Sequence, residues 1–131
     1  MAGRKVLVVD DEQPMCGTLA DLLEAEGFAV VCALDDRAAY AALRREASAF
    51  SVLFVDINLG LGTTGFDVAR YARTLAPKVP VVFISGMEDE RSVSRFGVAG
   101  AIFLKKPFGA AELSEALALA IRPARPPQGA G

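Results

Sequence analysis

The sequence predicts an α/β domain. Its core is a doubly wound sheet of five parallel strands in the order 2-1-3-4-5, covered by five helices. Three observations carry that expectation. Apolar runs end abruptly at charged or hydroxyl residues: Val6-Leu7-Val8-Val9 at Asp10-Asp11-Glu12, Val52-Leu53-Phe54-Val55 at Asp56, Val81-Val82-Phe83-Ile84 at Ser85, and Ile102-Phe103-Leu104 at Lys105-Lys106-Pro107. Such runs read as buried strands whose tips reach the surface. Between them lie segments with helical periodicity, punctuated by Gly and Pro. Five β-α units in succession imply a parallel sheet with helices on both faces, and right-handed crossovers make double winding its natural closure.

Taken in order, the first strand is expected over 5–9. A helix follows over 14–26, with Pro14 in its first turn, Gly27 at its end, and Met15, Leu19, Leu22 and Leu23 as its apolar stripe. Strand 2 is expected over 28–33 and helix 2 over 36–47, capped by Asp35 or Asp36. Strand 3 covers 51–56. Helix 3 covers 65–75 and must stop before Pro77. Strand 4 covers 79–84, and a short helix covers 88–96, ending near Gly97. Strand 5 covers 101–104 and helix 5 covers 110–121. The domain is therefore expected over 4–121. The remaining 122–131, with three prolines and two glycines, is expected to be a disordered tail or the stub of a linker.

Composition narrows the function. At 131 residues the chain is one domain, able to bury roughly two-thirds of its unfolded surface. A net charge of -2 gives no basic field for nucleic acid or an anionic membrane. No apolar run approaches the ~20 residues that span a bilayer. The amino terminus enters a strand directly and lacks a signal-peptide pattern, so a cytoplasmic location is expected. Cys16 and Cys32 stand in apolar segments without C-x-x-C spacing. They read as two buried free thiols in a reducing compartment, with a disulfide as the alternative. The chain has no histidine, which removes serine-histidine-aspartate catalysis and histidine zinc sites. A phosphohistidine donor, if there is one, must belong to another protein.

In a doubly wound sheet, ligands bind beyond the carboxyl ends of the strands where the winding reverses. Strands 1 and 3 flank that reversal, and both end in aspartate. Asp10, Asp11 and Asp56 would then crowd together. Two like charges ~4 Å apart cost about 4 kcal/mol at an effective dielectric near 20, so a cation or a raised pKa must relieve them. Oxygen ligands without histidine or paired cysteine favour Mg2+ over zinc. Asp56 is the candidate nucleophile, able to take a phosphoryl group as an acyl phosphate. Lys106 is the candidate counter-charge and Ser85 a hydroxyl donor to a phosphoryl oxygen. Lys105 alternates to the other side and is expected to be solvated.

The pattern Val-Val-Asp10-Asp11-Glu12, Val-Asp56, Ile84-Ser85-Gly86 and Lys106-Pro107-Phe108 resembles the receiver domain of two-component response regulators. The resemblance covers nearly the whole chain and implies a flavodoxin-like receiver fold. It implies that Asp56 accepts a phosphoryl group from the phosphohistidine of a sensor histidine kinase or a histidine phosphotransfer protein. It implies Mg2+ held by Asp11, by Asp10 partly through water, by Asp56 and by the backbone carbonyl of Asn58. Lys106 would contact the phosphoryl group, its direction fixed by a cis peptide to the following Pro107. Ser85 and Phe103 would be the switch pair that alters the face of helix 4, strand 5 and helix 5 for a downstream output protein or a homodimer. Such a protein is no enzyme beyond its own phosphorylation and dephosphorylation. One departure is local: Gly60 stands where the family often has proline, and the loop 60–65 is expected to be one residue longer.

Competing signals fail on context. Gly60-x-Gly62-x-x-Gly65 fits a dinucleotide fingerprint, but Asp56-Ile57-Asn58-Leu59 intervenes where the glycine should follow the strand at once, and the neighbouring carboxylates would repel a pyrophosphate. A haloacid-dehalogenase-type phosphohydrolase needs an aspartate two residues after its nucleophile, where this chain has Asn58. A receiver-shaped interaction module without phosphate turnover is the remaining alternative. The start at Met1 and the short tail favour a stand-alone receiver over a fragment of a larger regulator.

Overall fold

A computed structural model of the chain describes residues 4–60, 64–86 and 90–121. Its elements run β1 (Arg4–Val9), α1 (Gln13–Ala25), β2 (Phe28–Ala33), α2 (Asp36–Glu46), a 3₁₀ turn (Ala47–Ala49), β3 (Phe50–Asp56), α3 (Gly65–Leu75), β4 (Val81–Ser85), α4 (Glu90–Phe96), β5 (Ile102–Lys105) and α5 (Ala110–Ala120). All strand pairs are parallel and the order is β2-β1-β3-β4-β5. The expected tail at 122–131 lies outside the described residues.

Strand alternation sorts the core into two layers. Val6, Val8, Val52, Phe54, Val82 and Ile84 face α1 and α5 through Cys16, Leu19, Leu23, Leu113, Ala116 and Leu117. The intervening Leu7, Val9, Leu53, Val55, Val81 and Phe83 face α2, α3 and α4 through residues such as Leu43, Phe66, Val68 and Val93. Both faces of β1, β3 and β4 are therefore covered, which explains their unbroken apolar runs. The edge strands β2 and β5 are only partly buried.

Helix boundaries follow local chemistry. Asp35 caps α2 by accepting from the Ala38 N–H at 2.8 Å. Gly27, with φ of 98°, turns the chain after α1 as only glycine does at no steric cost. Thr64 and Asp67 form a capping box that starts α3. Shifts of one or two residues at several ends reflect fraying rather than a different element. In α1 the most buried stripe is Cys16, Leu19 and Leu23, with Met15 and Leu22 only half-buried.

The expectation of free thiols is corrected. Cys16 on α1 and Cys32 on β2 are joined as a disulfide, with Cα atoms 6.2 Å apart. The even-numbered residues of β2 face α1, so packing of that helix brings Cys16 over Cys32 within bridging distance. Only Cys16 is buried; Cys32 lies on the exposed edge. A separation of 16 residues says nothing of this until the helix is docked.

Gly65 is where α3 meets the tip of β3. Its N–H donates to the Ile57 carbonyl at 2.8 Å, and a Cβ there would overlap the backbone carbonyl of Asp56. Gly65→Ala is expected to lower stability by about 2–3 kcal/mol, because rigid backbone rather than a movable side chain opposes the methyl group. Urea unfolding checks it; unchanged stability would mean that α3 is free to slide away from β3.

Candidate functional site

The carboxyl ends of β1, β3, β4 and β5 converge on one edge. Among the described residues, the buried polar or charged residues are Asp10, Asp56 and Ser85, and all three lie here. Parallel register places them: Val9 pairs with Val55, Asp56 with Ile84, and Ser85 with Lys105. Past the paired strands the ladder continues, with the Ile57 N–H donating to Ile84 and the Lys106 N–H to Ser85, both at 2.9 Å. Lys106 is thereby set beside the tip of β4, and the Lys106–Pro107 peptide is cis.

The two strand-end aspartates use their oxygens alike. Oδ1 of Asp10 accepts from the Glu12 N–H and Oδ1 of Asp56 from the Asn58 N–H, each at 2.9 Å. Their Oδ2 atoms share Lys106, whose Nζ lies 2.9 Å from Asp56 and 3.3 Å from Asp10. The Asp56 contact is a hydrogen bond, whereas Asp10 Oδ2 has an ionic contact and no hydrogen-bond partner. Burial, reinforced by the Asp56 charge, pushes the Asp10 carboxyl above its ordinary range despite the Glu12 N–H. Burial alone would lower the Lys106 ammonium, but the hydrogen bond and charge of Asp56, aided by Asp10, outweigh it and hold its pKa up.

One carboxylate oxygen from each of Asp10, Asp11 and Asp56 lies within 4.8 Å of the others. Asp11 is exposed while its two companions are buried. Three hard oxygen donors, one of them an orphaned buried atom, suit a divalent cation such as Mg2+. The N-cap residue of α1, Glu12, makes no side-chain cap bond.

Every sequence-predicted site residue falls at this edge except Phe103, which pairs with Phe83 on β5, below the tips. Phe103 lines a cavity of about 470 Å³ with Val93, Gly97 and Leu119. Lys105 is exposed, as its alternation implies. Three contacts lie beyond the sequence reading. Glu12 Oε1 reaches Lys106 Nζ at 3.6 Å. The Asn58 carboxamide donates to Ser85 Oγ at 3.1 Å, whereas only the Asn58 carbonyl carried an expectation. Gly60 has φ of 92°, which proline does not adopt, and sits beside Asp11. Its place before further glycines hinted at the first need of that loop, a left-handed turn. The longer loop itself includes 61–63, outside the described residues.

Lys106→Met would leave Asp10 and Asp56 buried without a counter-charge. A loss of about 2–3 kcal/mol is expected in chelator, largely recovered with Mg2+. Denaturant unfolding in both conditions checks it, and an equal loss in each would place the cation elsewhere.

The comparisons with known proteins agree with this geometry. Residues 6–118 match the family model described as the response regulator receiver domain. The nitrogen assimilation regulatory protein NtrX of Azorhizobium caulinodans is 36% identical over 112 residues, covering 82% of this chain and 24% of that protein. The response regulator protein TodT of Pseudomonas putida is 29% identical over 118 residues, covering 89% of this chain and 51% of its own length. The chain thus spans about half or less of these curated relatives. A response regulator receiver protein from Sinorhizobium medicae superimposes with a TM-score of 0.84 at 30% identity, covering 92% of this chain and 96% of that one. The receiver domain of NtrX from Brucella abortus gives 0.77 at 31% identity, covering 91% and 99%. With 113 consecutive positions matched and the acidic, hydroxyl and lysine side chains assembled at one sheet edge, the chain belongs to the response regulator receiver domain family.

Proposed function

We propose that this chain takes a phosphoryl group onto Asp56 from a partner's phosphohistidine in a Mg2+-dependent reaction, and passes the change to a downstream protein. The observation that carries the reading is the 2.9 Å contact of Lys106 with Asp56 inside a three-carboxylate cluster. Asp56 Oδ1 is held by the Asn58 N–H, so the carboxylate is oriented before any donor arrives. An Asp56 oxygen attacks phosphorus as the phosphorus–nitrogen bond of the donor breaks, and the donor imidazole leaves with the electron pair. Lys106 then faces the phosphoryl oxygens that replace its carboxylate contact. Ser85, at the tip of the next strand, is placed to donate its hydroxyl to the same group. A bound Mg2+ would supply positive charge against the negative charge of the transferring group. Asp10 and Asp11, with Asp56 and the Asn58 carbonyl, would hold it.

The output follows from Ser85 and Phe103. The Ser85 hydroxyl accepts from the Asn58 carboxamide, and its movement toward a phosphoryl group would break that bond. Phe103 borders the cavity between α4 and α5 and is only partly buried, so there is room for its ring to turn inward. That change would remodel the α4-β5-α5 face for an output protein or a second copy of the chain. The partner is a sensor histidine kinase or a histidine phosphotransfer protein, because this chain has no histidine of its own. The protein acts as a switch rather than an enzyme on other substrates, in the cytoplasm with its kinase. No helix among the described residues is long and apolar enough to cross a membrane.

With Mg2+ and acetyl phosphate, one acid-stable, base-labile phosphoryl group is expected on Asp56 by intact-mass spectrometry. Asp56→Asn should abolish it, and equal incorporation in that variant would refute the assignment. Asp11→Ala is expected to lose Mg2+ affinity and phosphorylation while its circular dichroism stays unchanged; persistent phosphorylation would mean the metal is held without it. Beryllofluoride should shift the NMR resonances of Ser85 and Phe103 together, and a response confined to the residues after Asp56 would contradict the coupling.

A further inference from the structure

We infer that Cys16 and Cys32 form a reversible dithiol–disulfide switch that sets the stiffness of the acidic loop and through it the Mg2+ affinity of the site. The inference rests on the metal reading given above. Both cysteines adjoin the loop Asp10-Asp11-Glu12. The Cys16 N–H donates to the Glu12 carbonyl at 3.1 Å, so the cysteine belongs to the first turn of α1, which anchors the loop's far end. Cys32 is followed by Ala33, whose carbonyl accepts from the Asp10 N–H at 3.1 Å and fixes the loop's near end. The bridge therefore ties together the two supports between which the acidic residues hang. The main chain joins α1 to β2 only at the helix's far end, through Glu26-Gly27, whereas the bridge joins them beside the acidic loop.

The two sulfurs are unequal in a way that suits reversible chemistry. Cys32 is exposed on β2, an edge strand, whereas Cys16 is buried under α1. An oxidant of the hydroperoxide class meets Cys32 first. The Cys32 thiolate attacks a peroxide oxygen, the O–O bond breaks, and a sulfenic acid forms with release of water or an alcohol. The Cys16 thiolate then attacks the Cys32 sulfur, the S–O bond breaks, and a second water leaves as the disulfide closes. The two thiol protons end in the released molecules, and the peroxide takes the two electrons. A dithiol reductant reverses the step by attacking the accessible Cys32 sulfur. Cys16 leaves as a thiolate that takes up a proton, and the reductant's second thiol frees Cys32 and leaves as a disulfide.

The direction of the effect follows from preorganisation. With the bridge closed, oxygens of Asp10, Asp11 and Asp56 already lie within 4.8 Å of one another. Opening it lets α1's first turn part from β2, so a cation must then order the loop as it binds, at a cost in affinity. The bridged form is expected to bind Mg2+ at least about threefold more tightly than the dithiol form.

The test uses the intact protein, reduced with a dithiol, freed of it, and exposed to stoichiometric hydrogen peroxide. Mass spectrometry should show loss of two hydrogens, absent in Cys32→Ser, a substitution at an exposed position that spares the core. Calorimetric Mg2+ titration should show the tighter binding in the bridged form only. Cys32→Ser should keep the weaker affinity with and without peroxide. Amide exchange at residues 10–16 should be slower in the bridged form without metal. Failure of the bridge to form, or equal or weaker Mg2+ affinity once it has formed, would overturn the inference and leave the metal reading intact. Absence of Mg2+ binding in both states would remove the metal reading itself, and this inference with it.

Discussion

The sharing of one ammonium group by two buried carboxylates governs the edge of this sheet. At an effective dielectric near 20, a pair of like charges ~4 Å apart costs about 4 kcal/mol, a large fraction of the stability of a small domain. Lys106 offsets that cost by lying 2.9 Å from Asp56 and 3.3 Å from Asp10. The offset is incomplete, since Asp10 Oδ2 has no hydrogen bond and burial raises its pKa. The site thus keeps a residual demand for positive charge. A divalent cation would meet that demand without displacing anything from the core, and a phosphoryl group on Asp56, as proposed, would give the lysine new oxygens in place of the carboxylate.

The fold supplies what this balance requires. A parallel sheet buried on both faces leaves polar groups only at its ends, so Asp10, Asp56 and Ser85 are confined to the carboxyl tips. Both aspartates use Oδ1 on the backbone N–H two residues on, which fixes each carboxylate plane and turns Oδ2 toward the lysine. Gly65 allows α3 to start against the Asp56 carbonyl, so the helix packs directly onto the tip of β3. The orientation of both carboxylates is therefore set by backbone.

The sheet order and the site's composition were legible because they depend on periodicity and chain order. Runs such as Val52–Val55 can only be central strands, and an aspartate ending two neighbouring strands can only meet its counterpart at the switch in winding. Side-chain contacts between elements were less legible. The Asn58 carboxamide on Ser85 requires a β3–β4 register that no local pattern states. Glu12 reading Lys106 depends on how the first turn of α1 tilts. The cysteine pair depends on helix docking across sixteen residues, and composition alone favoured free thiols. Local propensity names the elements; docking decides which side chains meet.

The charged tips and Phe103 sit apart in the sheet. The tips hold the charges, whereas Phe103 lies a few residues down β5, in the layer that packs under α4. Between them runs Ser85, buried, at the end of a strand hydrogen-bonded on both sides. β3, β4 and β5 are locked in register, so the proposed switch cannot work by bending the sheet. What remains free to change is side-chain direction at the tip and ring orientation at the edge, beside a cavity of about 470 Å³. The edge position of β5 is therefore what leaves the Phe103 ring open space beside it. An aromatic residue at the equivalent level of β4, covered on both faces as Phe83 is, would have no open space into which to turn.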